Sequence, residues 1–205
     1  MSRKNPDINS ESKTEKRKAK LKAVMEKRQP TITVVAENIY DPHNLSAMLR
    51  SCDAVGVLEV CLVYDGSQPY PKLGEKSSAS AKKWVNLKKY ESIKECYNEL
   101  RAEGKKIYST HMGRKSKSLY ELDLTSPAAL VFGNEHTGLS EEAASLADAN
   151  FLIPQVGMIQ SLNISVACAV SLYEAFRQRL NIGMYDKIQF DEEVFSAHLE
   201  NWLKK

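Results

Sequence analysis

Long apolar runs are missing from this sequence, and so are most signatures that settle a function by themselves. No stretch approaches the ~20 residues that a membrane-crossing helix needs. The first residues are lysine-rich without an apolar core, which argues against a secretory signal. Cys52, Cys61, Cys96 and Cys168 contain no CxxC pair, and no His/Cys grouping has metal-ligand spacing. The thiols therefore read as reduced, the chain as cytoplasmic and metal-free. No GxGxxG follows a strand-like segment, so the usual dinucleotide fingerprint is absent. Gly133–Ser140, GNEHTGLS, nearly fits the phosphate loop GxxxxGK[ST]. Leu139 stands where the lysine is required, so nucleotide hydrolysis is disfavoured.

What is present suits one well-filled domain. The chain has 205 residues, 42% of them hydrophobic; that is enough for a single core with a tail. The net charge of +3 is spread unevenly. Residues 1–28 carry ten Lys/Arg against four Asp/Glu; the other 177 carry nineteen against twenty-two. A basic arm on a near-neutral body fits a polyanion partner and a solvated tail equally well. The expected division is a basic arm with a short helix (1–28), an α/β domain (29–182) and an acidic helix or tail (183–205).

In chain order, Glu15–Arg28 can form a basic helix with Leu21, Val24 and Met25 as its apolar stripe, ended by Pro30. Thr31–Ala36 is β-branched and reads as a strand. Asn44–Val55 reads as a helix stopped by Gly56. Strands are expected at 59–64, 84–87, 106–109, 128–132 and 151–153. Helices are expected at 92–103, 140–147, 161–180 and 191–203. Ser140 is a good N-cap, with Glu141 and Glu142 in the first turn. Strands alternating with helices predict a parallel sheet covered on both faces. Ligands in such sheets bind at the loops beyond the carboxyl ends of the strands. Here these are 37–44, 65–80, 110–118, 133–139 and 154–160.

The helix after Phe151–Gln160 is apolar on several sides: Val166, Ala169, Val170 and Tyr173 share one face, and Ile164, Ala167, Cys168 and Leu172 cover most of the rest. That pattern suits a central core helix or one that also meets a partner subunit. Ser161 and Asn163 at its entrance are good caps. On the first long helix, Ser46, Arg50 and Asp53 share a polar face. Arg50 is either half of a surface pair with Asp53 or an arginine aimed at a phosphate or developing anion.

Three blocks together resemble the motifs of the SPOUT methyltransferases, and within them the TrmH group of tRNA 2′-O-methyltransferases. They are NIYDPHNLSAMLRSCDAVGV (38–57), LVFGNEHTGLSEEA (130–143) and IPQVGMIQSLNISVACA (153–169). Their order and spacing agree with the family. The flanking KAVMEKRQPTITV and EAFRQRLNIGMY are similar to the branch that methylates guanosine-18 of the tRNA D-loop. The resemblance covers roughly residues 17–186; the remainder is shorter and more acidic than that branch would suggest.

The resemblance implies a parallel sheet with a C-terminal deep trefoil knot, a fold feature that is otherwise rare. It implies a homodimer built on the last long helix, and S-adenosylmethionine as methyl donor. The cofactor contacts would be Thr110, Gly133, Ile153, Leu162 and nearby Met158. The catalytic set would be Arg50 with Asn44, Glu135, Ser161 and Asn163. Arg50 would orient and acidify the ribose hydroxyl, or serve as a transient base against a guanidinium pKa above about 12. Asn44 and Asn163 would hold Arg50 or the ribose, Glu135 would orient within the knot loop, and Ser161 would meet the RNA. Lys18, Lys20, Lys22 and Arg28 of the arm, with Lys82, Lys83, Arg114, Lys115 and Lys117, would meet the tRNA backbone, giving salt-sensitive binding. The same chemistry on ribosomal RNA, and a knotted RNA-binding protein without catalysis, are the alternatives.

Overall fold

The computed structural model describes residues 7–66, 70–71, 81–113, 115–159 and 161–205, with side chains from residue 14 onward. Seven strands form one sheet: β1 (Gln29–Glu37), β2 (Val57–Val63), β3 (Asn86–Tyr90), β4 (Lys106–Thr110), β5 (Lys117–Ser118), β6 (Ala128–Phe132) and β7 (Ala149–Leu152). The order is β3-β2-β1-β6-β4-β7-β5, and every pairing is parallel. The helices are α1 (Asp7–Met25), α2 (Pro42–Ala54), α3 (Ala81–Trp84), α4 (Ile93–Ala102), α5 (Glu141–Leu146), α6 (Ile164–Asn181) and α7 (Glu192–Leu203).

The central strands are apolar on both sides because both faces are covered. Ile32, Val34 and Ala36 of β1 join the core under α2 and α6, built from Leu45, Met48, Leu49, Cys168 and Leu172. Val35 points the other way, into a core with Ile93, Cys96, Tyr97 and Leu100 of α4 and Ala143 of α5. Strand alternation thus assigns each helix pair its own face. The α2–β2 turn needs Gly56: its φ is +85°, and a Cβ there would lie 2.6 Å from the Lys27 carbonyl oxygen.

Most expected elements are present within one to three residues. The strand expected at 84–87 is shifted along the chain: Trp84 finishes the short helix α3, and β3 runs at 86–90. Two-residue β5 and the 3₁₀ turn Leu119–Glu121 after it carry too few residues for a periodic signal. The basic helix already runs at Asp7 and ends at Met25. Among the described residues, no helix is long and apolar enough to cross a membrane.

Arg28 corrects an expectation. It is fully buried rather than offered to RNA. Its guanidinium donates to the Val57 carbonyl at 3.1 Å, pairs with the Asp53 carboxylate and lies 4.9 Å above the Trp202 ring. Asp53 is therefore claimed by Arg28, so the supposed Arg50–Asp53 surface pair is not formed. Ser46, placed by spacing on the polar face of α2, is only 4% exposed.

Buried Arg179 fixes the far end of α6. It donates to the carbonyls of Leu124 and Ser126 and to Thr31 Oγ1 and Gln29 Oε1. Burial pulls its guanidinium down to about 10, so it stays a cation at neutral pH. With that end pinned and Cys168, Leu172 and Ala175 buried, the N-terminus of α6 is delivered to the carboxyl edge of the sheet.

Candidate active site at the carboxyl ends of the strands

Each strand end contributes one loop. After β6 the chain makes a tight hairpin. Asn134 and Gly138 exchange backbone hydrogen bonds of 3.0 and 2.9 Å, and the Asn134 side-chain oxygen accepts from the His136 amide at 2.8 Å. Gly133 has no room for a side chain: a Cβ would lie 2.3 Å from both Gly138 C and Leu139 N. Because the obstacle is backbone, Gly133→Ala is expected to cost about 2–3 kcal/mol in chemical unfolding; an unchanged midpoint would show that the hairpin yields. Buried Glu37, at the end of β1, clamps the exit of this loop. Its two oxygens accept from the Ser140 amide (2.9 Å) and hydroxyl (2.7 Å), while Ser140 Oγ caps α5.

The three sequence blocks meet through their side chains. Asn44, in the first turn of α2, donates to Glu135 Oε1 at 2.6 Å. Asn163 donates its amide to Asn44 Oδ1 at 3.0 Å. The Asn163 oxygen in turn accepts from the Ser165 amide at 2.9 Å, capping α6. Asn163 is thus both cap and network member, whereas Ser161 is not the cap. Glu135–Asn44–Asn163 is one hydrogen-bonded line from the β6 hairpin through α2 to α6.

Two cavities lie on either side of this line. The first, ≈ 480 Å³, is walled by Thr110, Leu139, Phe151, Ile153, Leu162 and Ile164, with Ser161 at its side. The second, ≈ 790 Å³, is polar: Asn38, Tyr40, Asp41, Asn44, Asp65 and His136 line it. Asn134, Glu135, Thr137 and Asn163 belong to both.

Of the expected cofactor residues, Thr110, Ile153 and Leu162 face the first cavity. Gly133 supports it through the packing of its backbone on Gly138 and Leu139. Met158 does not line it; its side chain is 99% exposed. Asn44, Glu135, Ser161 and Asn163 are brought together. Arg50 is exposed on α2, outside both cavities, and makes no hydrogen bond or ion pair with any described residue. Lys18, Lys20, Lys22, Lys82, Lys83, Lys115 and Lys117 are exposed; Arg114 lies outside the described residues.

Several participants escape the sequence reading. Asn38 stands at φ +53°, a conformation Asn tolerates better than most side chains. There its carbonyl accepts from Asn134 and its side-chain amide donates to Asp65 Oδ2 at 3.0 Å. Tyr40 donates to Asn38 Oδ1 at 3.0 Å. The legible signal is an asparagine directly after a strand. Behind them, Tyr64 donates to the Ile39 carbonyl at 2.7 Å. Burial, then the neighbouring tyrosines and Glu135, push its phenol well above the usual range. It stays a donor, not a base.

Residues 31–173 match the SpoU rRNA Methylase family. A tRNA (guanosine(18)-2′-O)-methyltransferase of Thermus thermophilus is 45% identical over 193 residues, covering 94% of this chain and 98% of its own. The crystal structure of an Aquifex aeolicus TrmH/SpoU tRNA modifying enzyme superposes with a TM-score of 0.87 at 39% identity, covering 93% of this chain and 96% of that one. The SpoU methyltransferase AviRb of Streptomyces viridochromogenes, solved in complex with AdoMet, has a TM-score of 0.66 at 26% identity, covering 76% and 62%.

Proposed function

The chain belongs to the SpoU rRNA methylase family, and from that premise we propose that it methylates the ribose 2′-oxygen of guanosine-18 in tRNA. The observation that carries this is the Glu135–Asn44–Asn163 line, which joins three distant sequence blocks at the wall of a ligand-sized cavity.

S-adenosylmethionine is the methyl donor in this reading; it would supply an electrophilic methyl group. The first cavity suits it. Its wall is mainly apolar, it has polar groups at the rim, and the Gly133–Gly138 hairpin leaves backbone rather than side chain beside it. Thr110, Ile153 and Leu162 would hold the donor. Asn44 and Asn163 are fixed as a pair, so they can orient a ribose hydroxyl without reorganising, and Glu135 fixes Asn44. Arg50 approaches from the RNA side as a cation that orients and acidifies the hydroxyl. The released proton passes to a substrate phosphate or solvent.

The active form in this reading is a homodimer. Support comes from α6, which leaves Val166, Tyr173 and Leu180 exposed at seven-residue spacing, with Ile182 beyond them. A helix apolar on a face that its own chain leaves open fits a second copy. The C-terminal knot fits the topology: β7 inserts between β4 and β5, inside the span bridged by 111–116.

The test is methyl transfer from labelled S-adenosylmethionine to unmodified tRNA transcripts, followed by mapping of the modified ribose. Label at guanosine-18 is expected. Label at another ribose, or on ribosomal RNA only, would reassign the target. Binding of tRNA without label would make the chain an RNA-binding protein.

A further inference from the structure

We infer that Glu37 is a positioning residue for the methyl donor: by holding Ser140 it fixes the part of the first cavity wall formed by Gly138 and Leu139. The inference rests on the function proposed above. β1 and β6 run in parallel register, with Ala36 paired to Phe132. The next two residues of the β1 chain therefore lie beside the start of the 133–139 hairpin, and they hold its two feet by different means. At the entry, the Asn38 carbonyl accepts from Asn134 Nδ2 at 2.8 Å. At the exit, the Glu37 carboxylate accepts from the Ser140 amide at 2.9 Å and from its hydroxyl at 2.7 Å. The entry leads to Glu135 and so to the Asn44–Asn163 pair. The exit leads back through Leu139 and Gly138 to the first cavity.

Ending a strand does not require a charge. Glu37 is only 5% exposed, and none of the ion pairs among the described residues includes it. Burying a carboxylate without a cation costs stability. What the carboxylate supplies is a pair of charge-assisted hydrogen bonds to one residue, which fix Ser140 in both place and orientation. The hairpin behind Ser140 has no slack, because Gly133 packs backbone to backbone on Gly138 and Leu139. A displacement of Ser140 is therefore passed to the cavity wall and to the contacts that the donor makes there. The Asn38–Asn134 foot is untouched by such a displacement, so Glu135 keeps its place. Loss of the Glu37 clamp thus falls on donor binding more than on the transfer step.

The experiment compares full-length wild type, Glu37→Gln, Ser140→Ala and the double variant, each well below its melting temperature. Glutamine keeps the shape of glutamate but has one acceptor oxygen, which the Ser140 amide takes, so the bond from the Ser140 hydroxyl is lost. Ser140→Ala removes that same bond and keeps the amide one. Calorimetric titration with S-adenosylmethionine is expected to show Kd raised about 10-fold in Glu37→Gln and by a similar factor in Ser140→Ala, the worth of one charged hydrogen bond. The KM for the donor should rise with it, while kcat on tRNA stays within about twofold of wild type. The double variant should bind no more weakly than the weaker single variant, since both changes break one contact. A residue that only stabilises the fold would lower the melting temperature and leave the donor affinity of the folded protein unchanged. That result, or losses that add in the double variant, overturns the assignment while the methyltransferase reading stands. A wild type that does not bind S-adenosylmethionine overturns that reading and this one with it.

Discussion

Arg50→Ala is expected to reduce methyl transfer to tRNA by about 10³-fold, with a melting temperature within about 2 °C of wild type. Both halves follow from where the residue stands. Arg28, Arg101, Arg177 and Arg179 are each bound to carboxylates or carbonyls, and removing any of them orphans a partner. Arg50 is exposed and holds no described residue, so its loss leaves none of them unsatisfied. A guanidinium that the described residues leave unpaired is available, in the proposed reaction, to meet the developing charge on the ribose oxygen and a flanking phosphate. Asn44 and Arg50 are six residues apart on α2, about 9 Å along its axis and on different sides of it. In the proposed reaction the arginine would meet the hydroxyl from outside the Glu135–Asn44–Asn163 line. Arg50→Lys separates the two chemical roles. If Arg50 orients as a cation, the lysine variant is slower at every pH, because the fork is lost. If the residue is the base, lysine gives up its proton more readily and should outrun wild type near pH 10. Loss of more than ~1 kcal/mol of stability in Arg50→Ala would mean a structural role instead.

How much of this is legible in the sequence depends on what each residue answers to. The alternation of strands and helices, and the helix break at Gly56, respond to local rules and read correctly from the sequence, whereas the basic helix ends at Met25 and Pro30, expected to end it, already belongs to β1. The convergence of Asn44, Glu135 and Asn163 comes only through resemblance. No periodicity connects side chains 91 and 119 residues apart. Arg28 misleads because charge in a basic segment favours a solvent reading. Only the fold brings Asp53, the Val57 carbonyl and Trp202 around it. The sequence marks α6 as apolar on several sides without saying what covers each, since an apolar face looks the same whether its own chain or a second copy lies on it. Asn38 gives only the weak signal of an asparagine directly after a strand, and Asp65 gives none, because a loop aspartate is an ordinary surface residue until a cavity places the two together.

Trp202→Ala should cost about 3–5 kcal/mol in unfolding and also weaken tRNA binding by about tenfold. The acidic C-terminal helix, shorter and more acidic than the family resemblance would suggest, holds the basic one. Leu21 and Met25 of α1 bury against Phe195 and Trp202 of α7 in a cluster separate from the two sheet cores. Trp202 is 1% exposed. Its ring meets Trp84 edge-on at 5.1 Å and lies under the Arg28 guanidinium at 4.9 Å. Lys205 donates to the Lys83 carbonyl at 2.7 Å. One indole therefore joins α1, which carries Lys18, Lys20 and Lys22, to α3, which carries Lys82 and Lys83. Removing it frees the two basic segments from each other. Phosphate contacts made together would then have to be made one at a time, each at its own entropic cost. The salt dependence of binding should become shallower, since its slope counts the phosphates neutralised. S-adenosylmethionine affinity should hold, because none of these residues borders the first cavity. Trp202→Phe, which keeps an aromatic ring against Trp84, should recover most of both losses. A destabilised Trp202→Ala protein with unchanged tRNA affinity and salt slope would mean that α1 and α3 do not form the RNA-facing surface, leaving α7 a purely structural brace.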